Sequence, residues 1–201
     1  MTKIAVIVGS TRQHRRGRQV AEWVYEYGRT HSPVEVDFDL IDLADYSLPV
    51  LDEPYPAAWG IYQNDHTRRW AESIAAYDGY VFVIAEYNHG VPGALKNAID
   101  YLYDEWTNKS AGFVSYGADG GVRAVEQMRT ISAELGLADV REQVVLSTFT
   151  DFDYTESDLA HPATAGDFAP EARHVDDLSA TLHSVVVWAE AMASVRVSIS
   201  V

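Results

Sequence analysis

The chain has 201 residues, 47% of them apolar, which is enough to bury a sizeable core and calls for no more than one domain over residues 1–201. A formal charge of −15 at pH 7 argues against a nucleic-acid partner or an anionic membrane surface, since either needs an excess of Lys and Arg on some face. With no cysteine, disulfides, a thiolate nucleophile, iron–sulfur clusters and Cys-ligated zinc are excluded, and a reducing, cytoplasmic setting is the expectation.

An apolar strand begins directly after Met1-Thr2-Lys3, at Ile4–Val8, and no segment approaches the ~20 consecutive apolar residues of a membrane span. The amphipathic helix that follows has Val20, Val24 and Tyr27 on one face. Val34–Leu40 alternates strictly, with Val34, Val36, Phe38 and Leu40 on one side and Glu35, Asp37 and Asp39 on the other, as an outer strand does. Residues 45–64, with Pro49, Pro54 and Pro56, read as a long surface loop before a helix over Asp65–Tyr77.

Tyr80–Ala85 and Ala111–Ser115 are continuous apolar runs, the signature of central strands covered on both faces by helices. Between them, Leu95, Ala98, Ile99 and Leu102 share a helical face behind Pro92. A further helix is expected over Gly121–Leu135 and a fifth strand at Val144–Leu146. Beyond Thr150 the period is lost in an Asp-, Pro- and Gly-containing excursion, and a last helix is expected over Glu171–Ser194. Alternation of strand and helix predicts an α/β, flavodoxin-like doubly wound sandwich of three layers. Its five parallel strands take the order 2-1-3-4-5, with a core of about residues 1–150 and a C-terminal extension carrying an extra helix.

In such a sheet the ligand crevice lies at the carboxyl ends of strands 1 and 3, where the strand order reverses. The loop after strand 1, GSTRQHRRGR over Gly9–Arg18, opens a helix whose free N–H groups and dipole favour an anion. Lys3, Arg12, Arg15, Arg16, Arg18 and Arg29 face only Glu22 and Glu26 in the first 32 residues, a local basic cluster on an acidic chain. Ser10 and Thr11 offer hydroxyls and the arginines offer forked donors, of which Arg12 and Arg16 are favoured for contact. The loop matches neither GxGxxG nor GxxxxGK[ST], so a terminal monophosphate suits it better than a pyrophosphate or a triphosphate with magnesium. After strand 3, Asn88 and Gly90 suit left-handed backbone angles, and Tyr87 and His89 offer flat walls to a planar ring. A plain tight turn before a helix accounts for this second loop equally well. No HxxxH or HExxH pair occurs among seven histidines, so no metal is predicted, and no GxSxG elbow marks a hydrolase.

Three segments, IAVIVGSTR, EYNHGVPGALKNAIDYL and FVSYGADGGVRAVEQMR, resemble the motifs of the NADPH-dependent FMN reductase family, and the likeness runs over roughly residues 3–150. The resemblance implies bound FMN, NADPH or NADH as reductant, and a small-molecule acceptor such as a flavin, quinone or azo compound. It implies that Ser10, Thr11, Arg12, Arg15, Arg16, Gly17 and Arg18 hold the FMN phosphate. Glu86, Tyr87, Asn88, His89 and Gly90 then line the isoalloxazine ring, and Ser115, Tyr116 and Gly117 close its other edge. Hydride transfer is expected at flavin N5 with no catalytic side chain, in a ping-pong order. Many relatives carry Ser or Val in place of Arg15 and Arg16, and several carry Pro in place of Ala85. Resemblance also implies a homodimer in which the helix Pro92–Trp106 packs on its twofold mate. The aromatic residues Trp23, Tyr25, Tyr27, Tyr101, Tyr103 and Trp106 suit either core or subunit surface, and Asp151, Phe152, Asp153 and His161 either approach the flavin or pack at the surface. A flavodoxin-like electron carrier and a flavin-free binding module are the alternatives.

Overall fold

A computed structural model describes residues 1–154 and 166–199. Five parallel strands, β1 (Thr2–Val8), β2 (Val36–Asp42), β3 (Gly79–Ala85), β4 (Ser110–Gly117) and β5 (Ala138–Ser147), form one sheet in the order β2-β1-β3-β4-β5. The expected order holds, and the register places Val6 beside Leu40 on one side and beside Val81 on the other.

Continuous apolar strands serve two cores at once because successive side chains point to opposite faces. Ala5 and Ile7 of β1, with Phe82 and Ile84 of β3, pack against α2 (Asp65–Ala75), α3 (Gly93–Asp100) and α4 (Val122–Glu134). Ile4, Val6 and Val8, with Val81 and Val83, pack against α1 (Gly17–His31) and α5 (Arg173–Ile199). Every residue of β3 is buried, as its sandwiched position requires.

Several boundaries depart from the sequence expectation, each for a local reason. Val34 lies in a turn closed by the Val36 amide on the Pro33 carbonyl and is 90% exposed, so β2 starts two residues late and runs on to buried Ile41 and Asp42. β5 is ten residues long. Its first half, with Asp139, Arg141 and Glu142, hides the strand because an edge position and a register irregularity opposite Ala111–Phe113 relax the apolar period. The 45–64 segment is braced by a 3₁₀ turn at Ala57–Trp59 and by Asn97, which accepts from the Leu51 amide and donates to the Pro49 carbonyl.

The helix expected over Pro92–Trp106 stops at Asp100, and Tyr101, Leu102 and Trp106 turn into the core of their own chain. The Trp106 indole donates to the Ile99 carbonyl at 3.2 Å, so these residues offer no face to a second copy. α5, at 27 residues and with a mean hydropathy of 1.3 in its most apolar window, is by length and composition alone long and apolar enough to cross a bilayer, though it holds no run of ~20 consecutive apolar residues. Its face of Leu178, Leu182, Val185 and Ala189 is nonetheless spent on the sheet, and the Ser110 hydroxyl donates to the Val185 carbonyl.

After β5 the chain forms a two-stranded antiparallel ribbon of β6 (Phe152–Asp153) and β7 (Asp167–Phe168) before entering α5. Phe168 meets Trp23 edge-on at 5.4 Å, and the Phe168 amide donates to Gln19 Oε1, which fastens the ribbon to α1. Trp23 and Tyr27 therefore pack at the border of the α1–α5 core.

Candidate functional site

The carboxyl end of β1 hands the chain to Gly9, whose amide bonds to the Val83 carbonyl of β3. A Cβ at Gly9 would lie 2.9 Å from both that carbonyl and Leu95, so only glycine lets the loop leave the sheet here. α1 then begins behind Arg16, which makes no side-chain capping hydrogen bond, and the first-turn amides present the positive end of the helix dipole.

Three hydroxyls converge at that helix start. Ser10 Oγ, on a residue 1% exposed, lies 2.6 Å from the Tyr87 hydroxyl and accepts from the Arg12 amide. The Tyr116 phenol interacts with the Gly17 amide and with Ser10, and a Cβ on Gly17 would fall 2.7 Å from its oxygen. Burial, reinforced by nearby Tyr87, pushes the Tyr116 phenol well above its ordinary pKa, so it stays a neutral donor.

The arginines are distributed unevenly around this cluster. Arg12 lies over the Tyr87 ring at 5.9 Å, beside the hydroxyls. Arg15 bonds to the buried Asp42 carboxylate at the end of β2, and Arg18 spans Asp42 at 3.4 Å and Glu22 at 2.7 Å. Arg16 sits over the rings of Phe152 and Tyr154, at 5.1 and 4.8 Å from their centroids. Thr11 faces a separate small cavity of about 220 Å³ shared with Leu43, Ser47, Leu48, Ala94 and Asn97.

The second loop is a tight reversal in which Tyr87 and Gly90 exchange both backbone hydrogen bonds. Its two central residues, Asn88 and His89, carry φ of 50° and 67°, so the left-handed positions are Asn88 and His89, not the expected Asn88 and Gly90. Tyr87, expected as a flat wall, leans its hydroxyl to Ser10, while Asn88 and His89 are exposed at the crevice rim.

Glu86 is held from α4. Its carboxylate, 7% exposed, accepts from the Arg123 backbone amide at 3.1 Å and from Arg123 Nε at 2.7 Å, and Arg123 also reaches Asp119 at 2.8 Å. Gln127 accepts from the Val91 amide and fixes the far end of the loop. Sequence reasoning passed over Arg123 and Gln127. Their spacing on α4, a basic residue in the first turn and an amide one turn later, marks them only once the helix is seen beside loop 86–91.

The third segment divides by residue. Ser115 has no exposure and donates to the Gly120 carbonyl at 2.7 Å, so its hydroxyl braces the loop from inside. Tyr116 points to the first loop, and Gly117 opens a turn in which Gly120 and Gly121 both carry φ of 76°. Loops 9–17, 86–90 and 117–121 thus come together at the carboxyl ends of β1, β3 and β4. Of the C-terminal candidates, Phe152 is buried under Arg16 and Asp151 is fully buried, while His161 lies outside the described residues.

The family described as NADPH-dependent FMN reductase matches residues 2–151. A Nectria protein named NAD(P)H-dependent FMN reductase is 44% identical over 132 residues, covering 64% of this chain and 66% of its own length. A Schizosaccharomyces pombe protein of the same name is 42% identical over 135 residues, 66% of each chain, and a Pseudomonas putida quinone reductase is 35% identical over 133 residues, covering 63% of this chain and 67% of its own. The matched region therefore spans about two thirds of the length of these relatives. Among solved structures, the flavoenzyme NAD(P)H:(acceptor) oxidoreductase FerB of Paracoccus denitrificans superposes with a TM-score of 0.68 at 20% identity, over 96% of this chain and 99% of that one. An FMN-dependent NADH-azoreductase of Bacillus anthracis, in complex with FMN, gives a TM-score of 0.54 at 13% identity over 92% of this chain and 100% of its own. At these identities the structural likeness speaks for the fold.

Proposed function

The chain belongs to the NADPH-dependent FMN reductase family, and from that premise we propose that it binds FMN and transfers hydride from NADPH or NADH to a small acceptor. The observation that carries the reading is the convergence of the Ser10, Tyr87 and Tyr116 hydroxyls on the uncapped start of α1, with Arg12 beside them. A phosphate monoester dianion suits this cradle of neutral donors, helix dipole and one adjacent guanidinium.

FMN, when bound, supplies the hydride-accepting and hydride-donating centre. The residues of this chain bind and orient. Ser10, Tyr87, Tyr116, the Gly17 amide and Arg12 take the phosphate, with Arg15 and Arg18 held behind them by Asp42 and Arg16 held by the β6 segment. Loop 86–90 would support the planar ring, and the main-chain amides of loop 117–121 would supply neutral donors beside it, of the kind that favour a group gaining negative charge. The Glu86–Arg123 pair fixes these two loops against each other, so the walls need little rearrangement at the moment of reaction.

Quinone reductase and azoreductase relatives favour a quinone or azo compound as acceptor. Reductant and acceptor share one open face, which favours a ping-pong order in which the oxidised nicotinamide leaves first. A cytoplasmic homodimer is the proposed working form. The exposed apolar side chains Val50, Leu51, Trp59 and Ile61 in the loop before α2 favour that loop as the surface for a second copy over the buried Tyr101, Leu102 and Trp106. The deciding experiment reconstitutes the protein with FMN and follows its absorbance and its consumption of NADPH with a quinone. A flavin spectrum with acceptor-dependent NADPH oxidation and parallel double-reciprocal lines is expected. A protein that stays colourless refutes the reading, and intersecting lines refute the ping-pong order.

A further inference from the structure

We propose that Asp151, Glu171 and His174 form a binding site for one divalent transition-metal cation of the zinc class, tying the end of β5 to the first turn of α5. One ligand atom from each residue lies within 4.8 Å of the others. Glu171 and His174 stand three apart where the chain enters the helix, with the His174 amide bonded to the Glu171 carbonyl, so both side chains rise on one side of the same turn. Asp151 comes to them from the turn that follows β5.

His174 provides the independent sign of a ligand. The residue is 1% exposed, and both ring nitrogens are buried without a hydrogen-bond partner among the described residues. Nε2 lies 3.0 Å from Asp151 Oδ1, yet the pair does not meet along a hydrogen-bond axis. Two ligand atoms that share an ion at 2.0–2.1 Å stand about 3.0–3.4 Å apart and aim at a third point rather than at each other. Nδ1 is 3.5 Å from Asp177 Oδ2, the other carboxylate in reach of the ring among the described residues.

The lone pairs of Asp151 are nearly used up. Oδ2 accepts from the Ser147 amide at 2.7 Å and from the Thr150 hydroxyl at 3.3 Å, and Oδ1 accepts from the Glu171 amide at 3.1 Å. One site on Oδ1 remains, on the side of His174. Glu171 reaches the cluster from the surface, with Oε2 paired to Arg173 at 2.6 Å and Oε1 left for the ion. One imidazole and two carboxylates, with water as a fourth ligand, suit tetrahedral Zn²⁺ or Co²⁺ better than Ca²⁺ or Mg²⁺, which ask for six or more oxygens. Two carboxylates also neutralise the dication beside a helix N-terminus.

A tag-free full chain, treated with chelator and titrated calorimetrically with Zn²⁺ and spectroscopically with Co²⁺, tests the site. One equivalent per chain is expected, with a nitrogen- and oxygen-ligated Co²⁺ visible spectrum and a melting temperature that rises with Zn²⁺. His174→Gln should abolish that equivalent, and His183→Gln, on an exposed residue of α5, should leave it unchanged. Glu171→Gln alters a surface side chain and should weaken binding at least about tenfold, so it decides the matter even if His174→Gln fails to fold. Absence of a saturable one-equivalent site overturns the proposal, as does equal affinity in Glu171→Gln and the parent chain. Neither result depends on flavin.

Discussion

Replacing Tyr116 by Phe removes one oxygen from the helix-start cradle and leaves the ring that fills the space beneath it. Tyr116 is 7% exposed, and its hydroxyl meets Ser10 and the Gly17 amide, so solvent cannot substitute for the lost donor. A hydrogen bond to a charged group contributes about 1.5–3 kcal/mol, which converts to a loss of FMN affinity of about 10- to 150-fold. Riboflavin shares the ring and the ribityl chain but lacks the phosphate, so its affinity should change little. The assay is a fluorescence-quenching titration of the apoprotein with each flavin, before and after the substitution. Melting curves serve as a control, because the Gly17 amide also loses its partner. If Tyr116→Phe weakens FMN and riboflavin equally, or weakens neither, Tyr116 does not bind the phosphate and the cradle is wrongly drawn.

Arg12→Ala should weaken FMN binding by more than Arg15→Ala, because Arg15 is already committed to Asp42; equal losses in the same titration would count against that division of labour. Lys109 is 6% exposed and donates to the Ile74 and Ala75 carbonyls and the Tyr80 hydroxyl, and burial, with Arg196 nearby, lowers its pKa to about 8. Because the unfolded chain holds this proton up to its ordinary value near 10.5, the contribution of Lys109 to stability rises between pH 8 and 10.5. Urea titrations should therefore show the parent chain gaining about 2–3 kcal/mol on Lys109→Met over that interval, and a constant difference would refute the shift. Gly112→Ala would set a methyl 2.5 Å from Val185 of α5, an overpacking cost of about 1–3 kcal/mol and a fall in Tm of about 2–4 °C for each kcal/mol. An unchanged Tm would mean that α5 does not dock on β4 as closely as drawn.

Strand–helix alternation and the buried runs of β1, β3 and β4 followed from local pattern, because a parallel sheet covered on both faces forces continuous apolar segments and right-handed crossovers, and the strand order came from the fold class this pattern indicates. The same pattern located the loops that form the crevice, since the strand order alone sets where the carboxyl ends diverge. It could not divide the arginines. Arg12, Arg15, Arg16 and Arg18 look alike along the chain. Their fates were decided by Asp42 arriving from β2 and by Phe152 and Tyr154 arriving from beyond β5. Resemblance puts Tyr116 at a ring edge, and strand periodicity says only which face a side chain takes, not how far its tip reaches. Only the close approach of β4 to Gly17 brings that hydroxyl to the helix start. Likewise Glu171 and His174 are an unremarkable pair until Asp151 is brought beside them from the turn after β5. Sequence by itself determined the scaffold and the loops at its mouth, because periodicity and turn chemistry are local. Tertiary structure decided which polar groups from different elements meet, because those pairings join residues 20 or more positions apart, such as Asp151 with Glu171 and Arg18 with Asp42.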